Sequence, residues 1–351
     1  MSWMPKKYNI EMIVLTPVHV GSGEVADPME YVCMQSEESD VIGYFDSGVV
    51  LKKLIDKQLV DMADIEAGNF HKIRRSVFTL FQQDESCDEL VYNWVNINNY
   101  QYYKDFTDAV SNPKSNKRLE IDRMYFNRIE NKYVFPGSSL KGAIRTAIMS
   151  RIGEVKKLTP GKQYRDYNEM IVGGIDKDAF KHLIVPDIFI SPENVIVVKP
   201  QEIKRRKEND GANTIPKNYA EAIAGFKTET NITINEKMQF EGAFIEKFES
   251  IKGALNHFYY KEFSEEYLKF YFSREELNKI HSLKDQVNKL IDDGWAILRV
   301  GHYSHAESMT LKTLRNIKGK RIGTNDNVFG TTRTLADGKL PFGWIAIKEI
   351  L

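Results

Sequence analysis

The run Pro136-Gly137-Ser138-Ser139-Leu140-Lys141-Gly142-Ala143-Ile144-Arg145 joins small hydroxyl residues to two cations at helical spacing, and its chemistry is that of an anion clamp. Phe135-Pro136 closes an extended run, Gly137 supplies a flexible turn, and Ser138 or Ser139 can cap the helix that follows. A helix start carries unpaired amides and a partial positive charge, where a phosphate sits readily. Lys141 and Arg145 share one helical face, and Leu140, Ile144, Ile148 and Ile152 line the opposite, buried one. The same spacing also suits an ordinary amphipathic helix with a solvated cationic face. No G-x-x-x-x-G-K-[ST] run occurs, so phosphate binding is indicated without nucleotide hydrolysis.

Two other glycine-marked loops repeat the theme. Gly21-Ser22-Gly23 follows a strand, where small residues let main-chain amides approach a phosphate. Arg299-Val300-Gly301-His302 follows another, with Lys312, Thr313 and Arg315 close behind. His19 could act as a general acid or base near neutral pH, although a strand-end histidine is more often structural. Asp27, near Glu24 and Glu30, is a carboxylate that a metal-dependent nuclease could use, but no second cluster completes a two-metal site. His302 and His305 lack a third ligand at zinc spacing. Tyr92, Trp94, Tyr100, Tyr102, Tyr103 and Phe106 could stack on bases or form a local core. No serine- or cysteine-nucleophile signature is present.

These loops need a framework, and 351 residues with 42% hydrophobic and 28% charged content can build two ordinary domains. No apolar run approaches the roughly 20 residues of a membrane span, and the first residues lack a signal-peptide core. Cys33 and Cys87 make neither a disulfide framework nor a metal knuckle, so a cytoplasmic location is expected. The zero net charge hides an asymmetry. Residues 24–66 carry eleven acids against three bases, residues 111–151 nine bases against three acids, and residues 298–323 six bases against Glu307. A local groove can therefore face a phosphate backbone while an acidic surface faces elsewhere.

The patterning predicts strands at Tyr8 to Leu15, near Glu30 to Met34, at Val41 to Phe45 and at Lys132 to Phe135, and a helix from a Ser47 cap to about Val60. Residues 61–132 read as an insertion, helical and then aromatic. This order is compatible with a ferredoxin-like sheet split by an inserted lobe. Beyond a flexible Thr159-Pro160-Gly161, strand-like material runs from Val185 through Val198, and Ile223 to Ile234 reads as a strand pair. Lys204 to Lys207 and Asn209 to Asn213 read as a hairpin tip or mobile loop. Helices are expected at about Ala243 to Phe270 and Ser273 to Asp292, with strands at Gly294 to Gly301 and Gly343 to Ile347. No fixed-period repeat is visible.

Taken together, Thr16-Pro17-Val18-His19-Val20-Gly21-Ser22-Gly23-Glu24, Glu30-Tyr31-Val32 and the 136–145 run resemble the RAMP superfamily of CRISPR proteins. Arg299-Val300-Gly301, Thr332-Arg333 and Pro341-Phe342-Gly343-Trp344 are similar to one branch of it, the guide-capping subunits of type III-A Csm effector complexes. The resemblance spans nearly the whole chain in motif order, but no motif covers 61–132 or 204–218. It implies an α+β fold of two ferredoxin-like (RRM-like) RAMP domains, 1–185 with the insertion at about 61–132, and 186–351. It implies a non-catalytic subunit, without cofactor or metal, that caps the 3′ side of the guide RNA (crRNA) beside other Csm-complex RAMP subunits. Host 3′ exonucleases are implied to trim the guide. The expected RNA-binding residues are Gly21, Ser22, Gly23, Ser138, Ser139, Lys141, Arg145, Arg299, Gly301, His302, Lys312 and Arg333. The sibling subunit that cuts target RNA uses a loop aspartate, and Asp27 lies in a comparable loop within a capping-branch context. The competing reading is a metal-independent RAMP-type endoribonuclease acting on precursor crRNA, with His19 helped by Tyr31 or Lys141. A protein scaffold whose cationic faces meet acidic neighbours is the third.

Overall fold

The computed structural model describes residues 4–35, 39–157, 164–205, 217–240, 243–315 and 329–350. Two large curled sheets, three smaller ones and the helices packed on them give a mixed α+β architecture among the described residues. The first sheet has five strands, antiparallel throughout. At its centre lies Lys6–Val14, whose alternating side chains bury Ile10, Met12 and Val14. Lys227–Ile234 and Trp344–Ile350 flank it, with Leu183–Ile184 and Ala296–Arg299 at the edges.

The second sheet runs in the order Gly21–Ala26, Ile121–Met124, Tyr219–Ile223, Val195–Val198, Val91–Ile97, Asp40–Phe45, Tyr31–Gln35. Its Ile121–Met124/Tyr219–Ile223 and Val91–Ile97/Val195–Val198 pairings are parallel. Both sheets draw strands from either side of residue 185. Nor does the 61–132 stretch stand apart, since Val91–Ile97 and Ile121–Met124 are strands of the second sheet. Its aromatic residues divide by depth. Tyr102 and Phe106 of helix Tyr100–Ser111 are buried in the main core, and Tyr100 is exposed.

The long helix Gly137–Val155 buries Leu140, Ile144, Ile148 and Ile152, as its periodicity requires. Its cap differs from the expectation. Pro136, with φ fixed at −66°, is the N-cap, and neither Ser138 nor Ser139 caps by side chain. The Gly137 amide instead donates to Asp187 Oδ1 at 2.7 Å. A Cβ on Gly137 would lie 2.2 Å from the Val185 carbonyl oxygen, so only glycine fits beside that segment.

Other boundaries shift for local reasons. Asp46, accepting from the Gly48 and Val49 amides, caps helix Ser47–Asp56 in place of Ser47. Tyr219–Ile223 and Lys227–Ile234 do not pair with each other, and the turn between them passes the chain from one sheet to the other. A hairpin, Met238–Phe240 and Ala243–Ile245, precedes the helix expected from Ala243, which begins at Phe248. That helix continues through two wide π turns, Asn256–Tyr260 and Tyr267–Tyr271. The expectations at 159–161 and 206–213 lie outside the described residues. Among the described residues no helix is long and apolar enough to cross a membrane.

Candidate nucleic-acid interface

Five separated segments meet around one cleft of about 630 Å³. Residues 19–25, of which Gly21 onward belongs to edge strand Gly21–Ala26 and not to the loop expected from the sequence, supply His19, Gly21 and Gly23, and Asp122 and Arg123 come from the strand paired with it. The start of the long helix contributes Ser138, Ser139, Gly142 and Thr146. The loop after strand Ala296–Arg299 adds Gly301 and His302, and buried Tyr259 forms part of the wall. All three glycine-marked elements singled out in the sequence thus face a common space.

The two loops are held together by main chain. The His302 amide donates to the His19 carbonyl at 2.9 Å, and the Gly343 amide donates to that of Pro17 at 2.9 Å. Gly301 sits at φ +90°, and a Cβ there would lie 2.4 Å from the His19 carbonyl oxygen. This close approach explains the glycine. His19 itself is 3% exposed. Its Nδ1 lies 2.7 Å from the Glu221 carbonyl oxygen, which can only accept, so Nδ1 carries the proton. Burial lowers the imidazole pKa below its ordinary value, against the opposing pull of that hydrogen bond. The His302 ring, exposed, stands edge-on to it with centroids 6.1 Å apart.

The expected cations separate into two groups. Lys141 is partly exposed and makes no hydrogen bond or ion pair among the described residues. Arg145, four residues on, is turned to a different task. It binds Asp178 at 2.7 Å and Asn168 at 2.6 Å and lies over the Phe180 ring. Arg299 lines the cleft but is 2% exposed, with Nη1 on Glu266 at 2.7 Å and Nε on the Phe342 carbonyl at 2.8 Å. Arg333 is wholly buried between Glu266 and Glu307, and does not line the cleft. Lys312 also lies outside the cleft lining, 3.7 Å from Glu265. Burial and neighbouring Lys261 lower its ammonium pKa. Ser22 has its hydroxyl on the Arg123 carbonyl at 3.1 Å.

Three arginines and three glutamates form a buried ionic network behind the cleft. Arg315 grips Glu262 through both terminal nitrogens, at 3.0 and 2.9 Å, and reaches the Glu307 carbonyl. Burial alone would raise the Glu266 carboxyl, but Arg299 and Arg333 hold it down to about 2. His305 belongs here too, its Nε2 accepting the Thr334 amide at 3.0 Å. Burial, with Arg299 and Arg333 beside it, drives its pKa well below the usual value.

Sequence reasoning missed the acid that organises the other wall. Glu221 is fully buried, its carboxylate accepting from Tyr133 Oη and the Met124 amide at 2.7 Å each, with Arg123 Nε 3.2 Å away. A lone acid inside the apolar run Tyr219-Ala220-Glu221-Ala222-Ile223 was the available signal. Asp122 and Glu24 also line the cleft, so acidic and basic side chains are mixed along it. Asp27 sits in an exposed turn with Oδ1 accepting the Met29 amide. Tyr31 is buried far along the second sheet, donating to the Leu119 carbonyl and accepting from Tyr102. Among the described residues no group of three or more His, Cys, Asp or Glu could hold a metal ion.

A family model described as the RAMP superfamily matches residues 11–304. A relative from Enterococcus italicus, CRISPR system Cms protein Csm5, is 24% identical over 161 residues, covering 41% of this chain and 43% of the relative. Its namesake from Streptococcus thermophilus is 25% identical over 147 residues, covering 41% of this chain and 38% of that protein. The matched stretch therefore spans less than half of either relative. Among solved structures, a chain of the cryo-EM Csm-crRNA-target RNA ternary complex of a type III-A CRISPR-Cas system shares the fold. Its TM-score is 0.62 at 17% identity, over 98% of this chain and 100% of that one. The crystal structure of T. onnurineus Csm5 gives 0.61 at 19% identity, over 95% and 99%.

Proposed function

The chain belongs to the RAMP superfamily, and from that premise we propose that it is a non-catalytic RNA-binding subunit of a type III-A Csm effector complex, seated at the 3′ side of the guide RNA. The observation that carries this reading is the meeting of the 19–25 segment with its edge strand, the 137–155 helix start and the 299–302 loop on one cleft. A phosphate there would lie near the start of the 19-residue helix Gly137–Val155, whose first amide Asp187 already engages, and near the small residues of the two glycine segments. Lys141, on the same helix start but outside the cleft lining, makes no hydrogen bond or ion pair among the described residues. Contacts of this kind address the sugar–phosphate chain, so binding is sequence-tolerant and falls with salt. Contact with neighbouring Csm subunits and trimming by host 3′ exonucleases belong to the same proposal.

The endoribonuclease reading finds less support. Its acid–base partners do not converge, since Tyr31 and Lys141 are both absent from the cleft lining that holds His19. The test is purification of the tagged chain from its host, with sequencing of the RNA and proteins that accompany it. Short guide RNAs sharing one 5′ end, together with other RAMP proteins, support the subunit reading. Recovery of the chain alone, or with long precursor that it cuts in EDTA, overturns it.

A further inference from the structure

Helix Gly137–Val155 borders two cavities. Its first turns line the cleft, while Ile148, Arg151, Ile152 and Val155 line a second groove of about 600 Å³. Phe240, Phe244 and Ile245 of the hairpin line it too, with Ala254 of helix Phe248–Leu255. The lining is mainly apolar, yet Val155 and Phe244 are 76% and 55% exposed. A concave surface that leaves large apolar side chains in water marks a place where another molecule binds. Charge around the groove is uneven. Glu249 is engaged by Lys252 at 2.8 Å, and Glu154 by His257 at 2.7 Å. Arg151 is exposed and makes no hydrogen bond or ion pair among the described residues. Its guanidinium lies against helix Phe248–Leu255, where a Cβ on Gly253 would sit 3.3 Å from Nη1, so glycine leaves it room.

We infer that this groove docks an apolar segment of another protein chain, with an Asp or Glu of that segment paired to Arg151. A cation set beside an apolar groove, with no counterion of its own, calls for a carboxylate brought by the occupant. A bilayer suits the site less well, because membrane-binding faces carry clustered cations and protruding apolar groups, not a hollow. The inference rests on the subunit reading and gives the subunit contact a place. It does not need the RNA reading.

The test replaces Phe244 with photo-reactive benzoylphenylalanine in the tagged full-length chain, in its host, and identifies the cross-linked peptides by mass spectrometry. Arg151→Glu is compared in the same background. The expected result is one partner protein cross-linked through an apolar segment containing Asp or Glu, at a yield about tenfold lower with Arg151→Glu. Changing that partner acid to arginine should restore the yield with Arg151→Glu, as a direct pair requires. An unchanged yield, or no rescue by the reversed pair, overturns the inference. Cross-links to a second copy of this chain, or within one chain, also overturn it. Other RAMP proteins recovered without any cross-link at 244 overturn it and leave the subunit reading standing. Recovery of the chain alone removes both.

Discussion

The carbonyl oxygen of His19 accepts the amide of His302 at 2.9 Å, joining loops that lie almost a whole chain length apart. That bond fixes the spacing of the two glycine loops, and Gly301 is the residue that permits it. Gly301→Ala would pay backbone strain of about 1–3 kcal/mol for a positive φ and add a clash with the same carbonyl. The expected outcome is a lower melting temperature together with lost RNA binding. A variant that keeps both would contradict the geometry.

Lys141 and Arg145 share a helical face in the sequence and part company in the structure, so their alanine variants should differ in kind. Lys141→Ala should leave stability unchanged and reduce the log–log salt slope of single-stranded RNA binding by about 0.7. Arg145→Ala should cost about 1–2 kcal/mol through its half-buried contacts to Asp178 and Asn168. Urea unfolding and a salt titration of both variants separate the two roles. Equal effects on the salt slope would return Arg145 to the binding surface.

Glu266 carries the charge balance of the buried network. Glu266→Ala leaves Arg299 and Arg333 short of a counterion, at an expected cost of about 3–5 kcal/mol. Glu266→Gln keeps the shape and should cost less than alanine. Identical unfolding curves for wild type and Glu266→Ala would show that the network is not coupled to folding.

Acid should act in two stages. His19 and His305 have folded pKa values below 6.5. The unfolded chain therefore binds more protons as pH falls through 6.5, and stability drops there. Glu266 has a folded value of about 2 against 4.5, so its contribution is complete above 4.5 and is lost as pH falls toward 2. Melting temperature measured against pH should show both declines, with His305→Gln flattening the upper one. A flat profile between about pH 7 and 5 would contradict the histidine stage.

What was legible in the sequence was local. The amphipathic back of the 137–155 helix and the glycines at 21, 23 and 301 announce themselves within a few residues, and the RAMP motif order carried the family. Arg299 and Arg333 looked like ligand cations because their counterions are remote. Glu266 lies 33 residues from Arg299 and 67 from Arg333, and charge counting along the chain cannot see such pairs. Asp178 hides Arg145 in the same way, 33 residues downstream. The strands within 61–132 each pair on one side with a strand from the other half of the chain, Val195–Val198 or Tyr219–Ile223, and on the other with Asp40–Phe45 or Gly21–Ala26, and no local pattern announces these distant pairings.

The central strand of the first sheet has a consequence for biogenesis. Lys6–Val14 is synthesised well before both of its neighbours, Lys227–Ile234 and Trp344–Ile350. Its second edge stays uncovered until Trp344–Ile350 has been made. The nascent chain therefore carries an unpaired apolar strand over that interval, a period in which chaperones have most to do. A product lacking Trp344–Ile350 would have a sheet that cannot close.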